Sequence, residues 1–138
     1  MSQITRISIS IEEELLKKFD SFVEEHGFPT RSEAIKNVIR ETLIAEEWTK
    51  GTHVAGTISL VYDHHKPGIV RKLLKTQHNF CSEIQCSQHV HLDHDNCMEI
   101  IVLRGTKERI REILKQLHQI KGLKHVVLTM TTTGQHLH

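Results

Sequence analysis

A chain of 138 residues, 38% hydrophobic and 25% charged, can build one ordinary domain or two small ones, and its apolar content excludes a disordered tail. No run of about 18 apolar residues occurs, which excludes a membrane-spanning helix, and the first residues lack an apolar signal core, so a cytoplasmic protein is expected. The net charge of +1 divides unevenly: residues 1–50 carry 7 Lys and Arg against 10 Asp and Glu, while residues 51–138 carry 11 against 7. Any nucleic-acid contact made by the first half must therefore come from a few placed groups and helix N-termini, not from a basic field.

Residues Gln3 to Ile11 alternate, with Ile7, Ile9 and Ile11 on one side and Arg6, Ser8 and Ser10 on the other, which predicts a short amphipathic strand. Glu12-Glu13-Glu14 favours a helix start with Ser10 as a cap, and that helix is expected to bury Leu15, Leu16, Phe19, Phe22 and Val23 and to stop at Gly27. Thr30-Arg31-Ser32-Glu33 has capping-box spacing and opens a second helix carrying Ala34, Ile35, Val38, Ile39 and Leu43 at helical intervals. A lone strand with two helices is too small to fold alone. Pairing the strand with its copy from a second chain solves this, so an obligate dimer is expected.

Trp48 to Thr52 marks a boundary, with Gly51 as breaker and Trp48 as a packing residue. Beyond it the pattern predicts strand (53–62), helix (67–79, with Pro67 in its first turn), strand (83–92), strand (97–103), helix (106–120) and strand (124–131). The order β-α-β-β-α-β reads as a ferredoxin-like sheet covered by helices on one face. The fold class is thus α+β, with residues 1–48 as one domain, 49–52 as linker and 53–138 as the second domain.

The densest chemistry lies in His89-Val90-His91-Leu92-Asp93-His94-Asp95-Asn96-Cys97, within a chain holding 12 histidines. In a strand His89 and His91 share a face, and a three-residue loop Asp93-His94-Asp95 would set His91 opposite Cys97, with side-chain origins about 4.5–5.5 Å apart. Two imidazoles and a thiolate suit a borderline-soft transition metal. A fourth nitrogen in a tetragonal array would favour Ni(II) or Cu(II), and tetrahedral zinc suits the same donors. A solvated Asp/Asn/His hairpin around an ordinary buried thiol is the plain alternative. The other cysteines, Cys81 and Cys86, complete an odd set without CxxC spacing, so no disulfide framework is indicated, and Cys86 reads as core filler on the face of Ile84, Val90 and Leu92. His64 and His65 form an auxiliary metal candidate or a solvated loop. Glu99 either orients His89 or faces solvent.

Residues 3–45, with Arg31-Ser32-Glu33-Ala34-Ile35 opening the second helix, resemble a ribbon-helix-helix DNA-binding domain. That resemblance implies that Arg6, Ser8 and Ser10 read bases in the major groove and that the start of the second helix, with Arg31 and Ser32, clamps phosphate. Joined to an ACT-like domain with Thr76-Gln77-His78, His89-x-His91 and Cys97, the whole chain resembles the nickel-responsive transcriptional regulator family. The resemblance implies a homotetramer, a dimer of dimers, with one square-planar Ni(II) per subunit held by His89, His91 and Cys97 of one subunit and His78 of its neighbour. Nickel would promote binding to a palindromic double-stranded operator, making the protein a repressor and not an enzyme, with no membrane partner. Strand length agrees with a shared site: His89 lies seven residues beyond Ser82, roughly 23 Å along an extended strand, so His78 of the same chain is out of reach. The resemblance also implies a second cation site with an acidic pair on the second helix; Glu33 matches, and Asn37 stands where Asp is expected.

Three rival functions fit parts of the pattern. A cysteine enzyme using Cys97 with His91 as base lacks an oxyanion signature and leaves the N-terminal half without a role. A metal storage or delivery protein would need only the histidine content. A ribbon-helix-helix regulator sensing another ligand would keep the DNA-binding half and lose the metal.

Overall fold

The computed structural model describes residues 3–137. In chain order the elements are α1 (Glu13–Glu25), α2 (Arg31–Lys50), β1 (His53–Tyr62), α3 (Ile69–Asn79), β2 (Ile84–His91), β3 (Cys97–Thr106), α4 (Lys107–His118) and β4 (Leu123–Thr131). Two compact units result, one containing the residues up to Leu43 and the other spanning 44–135.

In the first unit the expected strand is missing. Residues 3–11 form no regular element, and Ile4, Ile7 and Ile9 are 99%, 67% and 61% exposed. A lone strand has no neighbour for its N–H and C=O groups, so the alternating pattern cannot become a ladder within one chain. The helix α1 begins one residue after an extended Glu12, and no side chain caps it, so Ser10 is not its cap. Its first turn carries Glu13 and Glu14, which favour the positive end of the helix dipole. It ends as expected at Gly27, whose φ of 72° lets Gly27 N–H reach Glu24 O at 3.1 Å and Phe28 N–H reach Val23 O at 3.1 Å. These two bonds make a Schellman cap, and the Phe22 and Phe28 rings close over it at 6.1 Å. No residue of α1 is fully buried, and Leu15 and Phe22 remain exposed; the apolar face expected to be buried has nothing to cover it in one chain. At the start of α2, Thr30 Oγ1 accepts from Glu33 N–H at 3.1 Å.

The second unit is a four-stranded antiparallel sheet in the order β2-β3-β1-β4. Alternate residues of β1 (Val54, Ile58, Leu60, Tyr62) and β3 (Cys97, Ile101, Leu103) point into the core, where they meet Ile69 and Leu73 of α3 and Ile110, Ile113 and Leu117 of α4. The three- and four-residue spacings on both helices give each a single apolar stripe. Fully burying each of these side chains contributes about 1.5–3 kcal/mol, so the strand-helix interface is the main source of stability here. The end of α2 joins this unit: Trp48 is 2% exposed and donates its indole N–H to Thr131 O at 2.9 Å. The helix runs through Thr49 to Lys50 instead of ending before a linker.

Two local details differ from the sequence reading. Pro67 precedes α3, because Gly68 at φ 84° takes the left-handed position before the first helical residue. In β2 a bulge between Ile84 and Cys86 inverts the facing of the strand's first half: Ile84 pairs with Leu103 on the core side, while Cys86 pairs with Val102 and is exposed. Cys86 keeps the face of Val90, as alternation places it, but that face lies away from the helices, so Cys86 is not core filler. An extra residue shifts every earlier side chain to the other face, and no residue type in Ile84-Gln85-Cys86 announces it. Thr106 caps α4, accepting from Arg109 N–H at 3.3 Å.

Candidate metal centre

At the end of the core face, three segments converge: the last residue of β1 with the turn that follows it, the end of β2 and the start of β3. The hairpin loop is held by Asp93, whose Oδ1 accepts from Asp95 N–H at 2.9 Å and Asn96 N–H at 2.8 Å, while Leu92 N–H donates to Asn96 O at 2.8 Å. The Asn96 side-chain amide also donates to both Asp93 carboxylate oxygens, at 3.0 and 2.9 Å, and this contact foremost, then the two backbone N–H bonds, holds the Asp93 carboxyl below its ordinary pKa. The loop so fixed sets the register, with His91 opposite Cys97 and His89 opposite Glu99. The facing deduced from strand alternation is therefore realised.

Cys97 is fully buried, and its Sγ lies 3.4 Å from His91 Nδ1. His89 stands beside His91 with ring centroids 5.1 Å apart, but its Nδ1 is engaged by Tyr62 Oη at 3.0 Å. Tyr62 is 2% exposed and its phenol is pushed up to about 12, first by burial and then by the negative charges of Glu99 and Cys97. A neutral phenol can accept as well as donate. When His89 Nδ1–H donates to it, the Nε2 lone pair is left free, the arrangement that a metal-ligating histidine uses.

The structure adds a residue that sequence reasoning set apart. His64, in the turn after β1, brings its Nδ1 to 3.0 Å from Cys97 Sγ, and its ring sits 5.3 Å from that of His91. His64, His91 and Cys97 form a group whose ligand atoms all lie within 4.8 Å of one another. The imidazole of His64 has its pKa lowered, by burial first and then by the neighbouring imidazoles of His65 and His91. A second group, Asp63, His64 and His65, lies alongside. In it the Asp63 carboxylate already accepts from His65 N–H at 2.9 Å and lies 3.2 Å from His65 Nδ1. The signal for His64 was its place immediately after β1, next to the strand pair that carries Cys97. Only the β1–β3 pairing, Tyr62 opposite Cys97, turns that into proximity.

Glu99 is buried rather than solvent-facing; Ser87 Oγ lies 3.5 Å from its Oε1, and Oε2 has no partner among the described residues. The group that holds His89 is Tyr62. His78 lies exposed near the end of α3 and belongs to neither metal-compatible group among the described residues. In the first unit Arg6, Ser8, Ser10 and Ser32 are exposed. Arg31 makes a two-pronged pair with Asp20, 2.8 Å on each prong, which holds that carboxyl below its usual range. Glu33 accepts from Lys36 Nζ at 3.0 Å, and Asn37 is half-buried.

The fold and this donor set define a class: an α+β protein that joins a helical N-terminal unit to a ferredoxin-like domain with imidazoles and a thiol gathered at one end of its sheet. Two family models match: the NikR C-terminal nickel-binding domain over residues 55–131 and the ribbon-helix-helix protein, CopG family, over residues 5–46. Among curated relatives, candidate nickel-responsive regulators of Thermococcus onnurineus and Pyrococcus furiosus are 46% and 47% identical to this chain. The alignments cover 98% of this chain and 99% of the first relative, and 96% of this chain and 96% of the second. A solved structure, an uncharacterised protein of Thermotoga maritima, superposes with a TM-score of 0.53 at 17% identity, covering 58% of this chain and 99% of that one, a likeness of fold alone. The chain belongs to the NikR family of nickel-responsive regulators.

Proposed function

We propose that this chain is a DNA-binding transcriptional repressor whose affinity for a palindromic operator rises when Ni(II) binds between its copies. The observation that carries the reading is the hairpin register, which sets His91 directly across from Cys97 with His89 two residues back on the same face. Those three residues, with the partner subunit's His78, supply three imidazoles and one thiolate, a donor set suited to square-planar Ni(II), one ion per subunit. Bound nickel would supply the link between copies; the protein's own part is to orient His89 through Tyr62 and to keep Cys97 out of bulk water. Binding requires the thiol to lose its proton and the imidazoles to be neutral, so nickel affinity falls as pH falls.

A tetramer, a dimer of dimers, is supported by the apolar surface one chain leaves open: Ile4, Ile7 and Ile9 near the N-terminus, and Val90 and Val127 on the sheet face away from the helices. DNA reading is assigned to Arg6, Ser8 and Ser10, with Arg31 and Ser32 at phosphate. Arg31 would have to exchange its Asp20 partner for phosphate, which favours a positioning part for it.

The test is operator selection from random duplex DNA with and without Ni(II), repeated with Arg6→Ala. Nickel-dependent enrichment of a palindrome is expected, with a loss of roughly 1–3 kcal/mol per half-site in the variant. Wild-type affinity in Arg6→Ala would remove the base-reading role. Sharing of the site is tested by refolding His78→Ala and Cys97→Ala chains together. With random mixing, roughly a quarter of the sites should regain the wild-type nickel spectrum, and mixed subunits without such sites would refute sharing.

A further inference from the structure

The last turn of α3 carries His78, and the chain leaves that helix through a turn at residues 80–83. The turn closes onto one carbonyl: Phe80 O accepts from Glu83 N–H at 3.0 Å and from Ile84 N–H at 3.1 Å, with the Phe80 ring buried in the core. Arg109, in the first turn of α4, reaches back to both ends of it. Its guanidinium carbon lies 4.6 Å from the centre of the Phe80 ring, and its Nε donates to Glu83 Oε1 at 2.7 Å. The Glu83 main chain is tied as well, its carbonyl accepting from Arg104 N–H at 2.8 Å. We propose that Arg109, acting through Glu83 and Phe80, is a positioning residue for His78, holding the end of α3 so that the imidazole is presented to the nickel site of a neighbouring copy. The proposal deepens the nickel reading above and rests on it.

The need for such a clamp lies at the helix end. The final carbonyls of a helix have no partners within it, and last turns fray. At this end the cap supplies one long bond, Phe80 N–H to Gln77 O at 3.3 Å. A ligand lent to another copy has to be ordered before the ion arrives, because ordering it at that moment is subtracted from the affinity. Glu83 is 8% exposed and its Oε2 has no partner among the described residues, so the bond from Arg109 is what holds the carboxylate inside. Without the guanidinium the buried charge is left unpaired and turns toward water, taking the turn with it. Gly105 makes the room for the packed position, since a Cβ there would lie 2.9 Å from Glu83 Cγ.

Charge and alignment predict opposite patterns. Through space, removing a cation from the domain favours Ni(II), and removing a carboxylate disfavours it. Loss of alignment weakens nickel binding in both cases.

The experiment uses full-length Arg109→Gln and Glu83→Gln, the second of which keeps the side chain's size. Ni(II) affinity is read by competition with a chelator, and folding by circular dichroism of the metal-free chains. Both variants should stay folded and bind nickel about tenfold more weakly or worse, the effect of losing an outer partner of a metal ligand. Location is then tested by mixing, because His78→Ala chains refolded with Cys97→Ala chains regain complete sites only between unlike copies. Arg109→Gln added to the Cys97→Ala chain, which lends His78, should weaken the regained sites. Added to the His78→Ala chain, it should leave them at wild-type affinity. Unchanged or increased nickel affinity in either single variant would overturn the proposal, and so would equal losses in the two mixed arrangements, which mark a general effect on the fold. Failure of the nickel reading is separately visible: subunits that mix yet regain no site without any change at Arg109 refute the sharing itself, and the proposal falls with it.

Discussion

Replacing Tyr62 with Phe removes one oxygen and keeps the ring that fills the core beneath the site. That hydroxyl is the group the structure places on His89 Nδ1, at 3.0 Å, on a side chain 2% exposed. Losing it leaves His89 free to rotate and to place its proton on either nitrogen. An outer partner of this kind is worth 10- to 100-fold in metal affinity, or about 1.4–2.8 kcal/mol at a factor of ten per 1.4. The direct effect on folding is smaller, about 1 kcal/mol for a net hydrogen bond. The assay is nickel competition against a chelator, paired with urea unfolding of the metal-free protein. A drop in nickel affinity of tenfold or more with nearly unchanged stability is expected. Unchanged nickel affinity would refute the positioning role of Tyr62 and with it the assignment of His89 as a ligand through its free nitrogen.

Further outcomes follow from the same geometry. Tyr62 is the single tyrosine, so ultraviolet titration reads it alone: the native midpoint should lie near 12 and fall to about 10 in denaturant, and a native midpoint near 10 would contradict the burial argument. Because the folded pKa is raised, the stability contributed by the neutral phenol is fully present below about pH 10 and is lost as pH rises through about 12. Cys97→Ser should abolish thiolate-to-nickel charge transfer while Cys81→Ser and Cys86→Ser retain it, since both of those are exposed and Cys86 faces the other side of the sheet; retention in Cys97→Ser would name another thiol as ligand. Arg109→Leu removes the partner of buried Glu83, bonded at 2.7 Å, and should lower the urea midpoint of unfolding. An unchanged midpoint would show that water replaces the guanidinium.

The sequence by itself determined what depends on local period and local chemistry. Alternation in residues 53–62 and 97–103, helical spacing in α3 and α4 and the glycine at position 27 were each sufficient, because a two-residue or 3.6-residue repeat decides which face a side chain takes. The opposition of His91 and Cys97 was legible for the same reason, since a short hairpin loop fixes register by counting. Three things needed the tertiary structure. The bulge after Ile84 turned Ile84 into the core while Cys86 stayed on the outer face with Val90, because an extra residue in a ladder is accommodated by the partner strand's register and not by its own residue type. Residues 3–11 stayed unpaired because strand formation requires a neighbour, which a single chain does not contain. His64 and Tyr62 entered the site only because β1 lies beside β3, bringing groups 33 and 27 residues apart in sequence from their partners Cys97 and His89 into hydrogen-bond contact. Local pattern fixes faces; which faces meet is decided by the order of strands in the sheet.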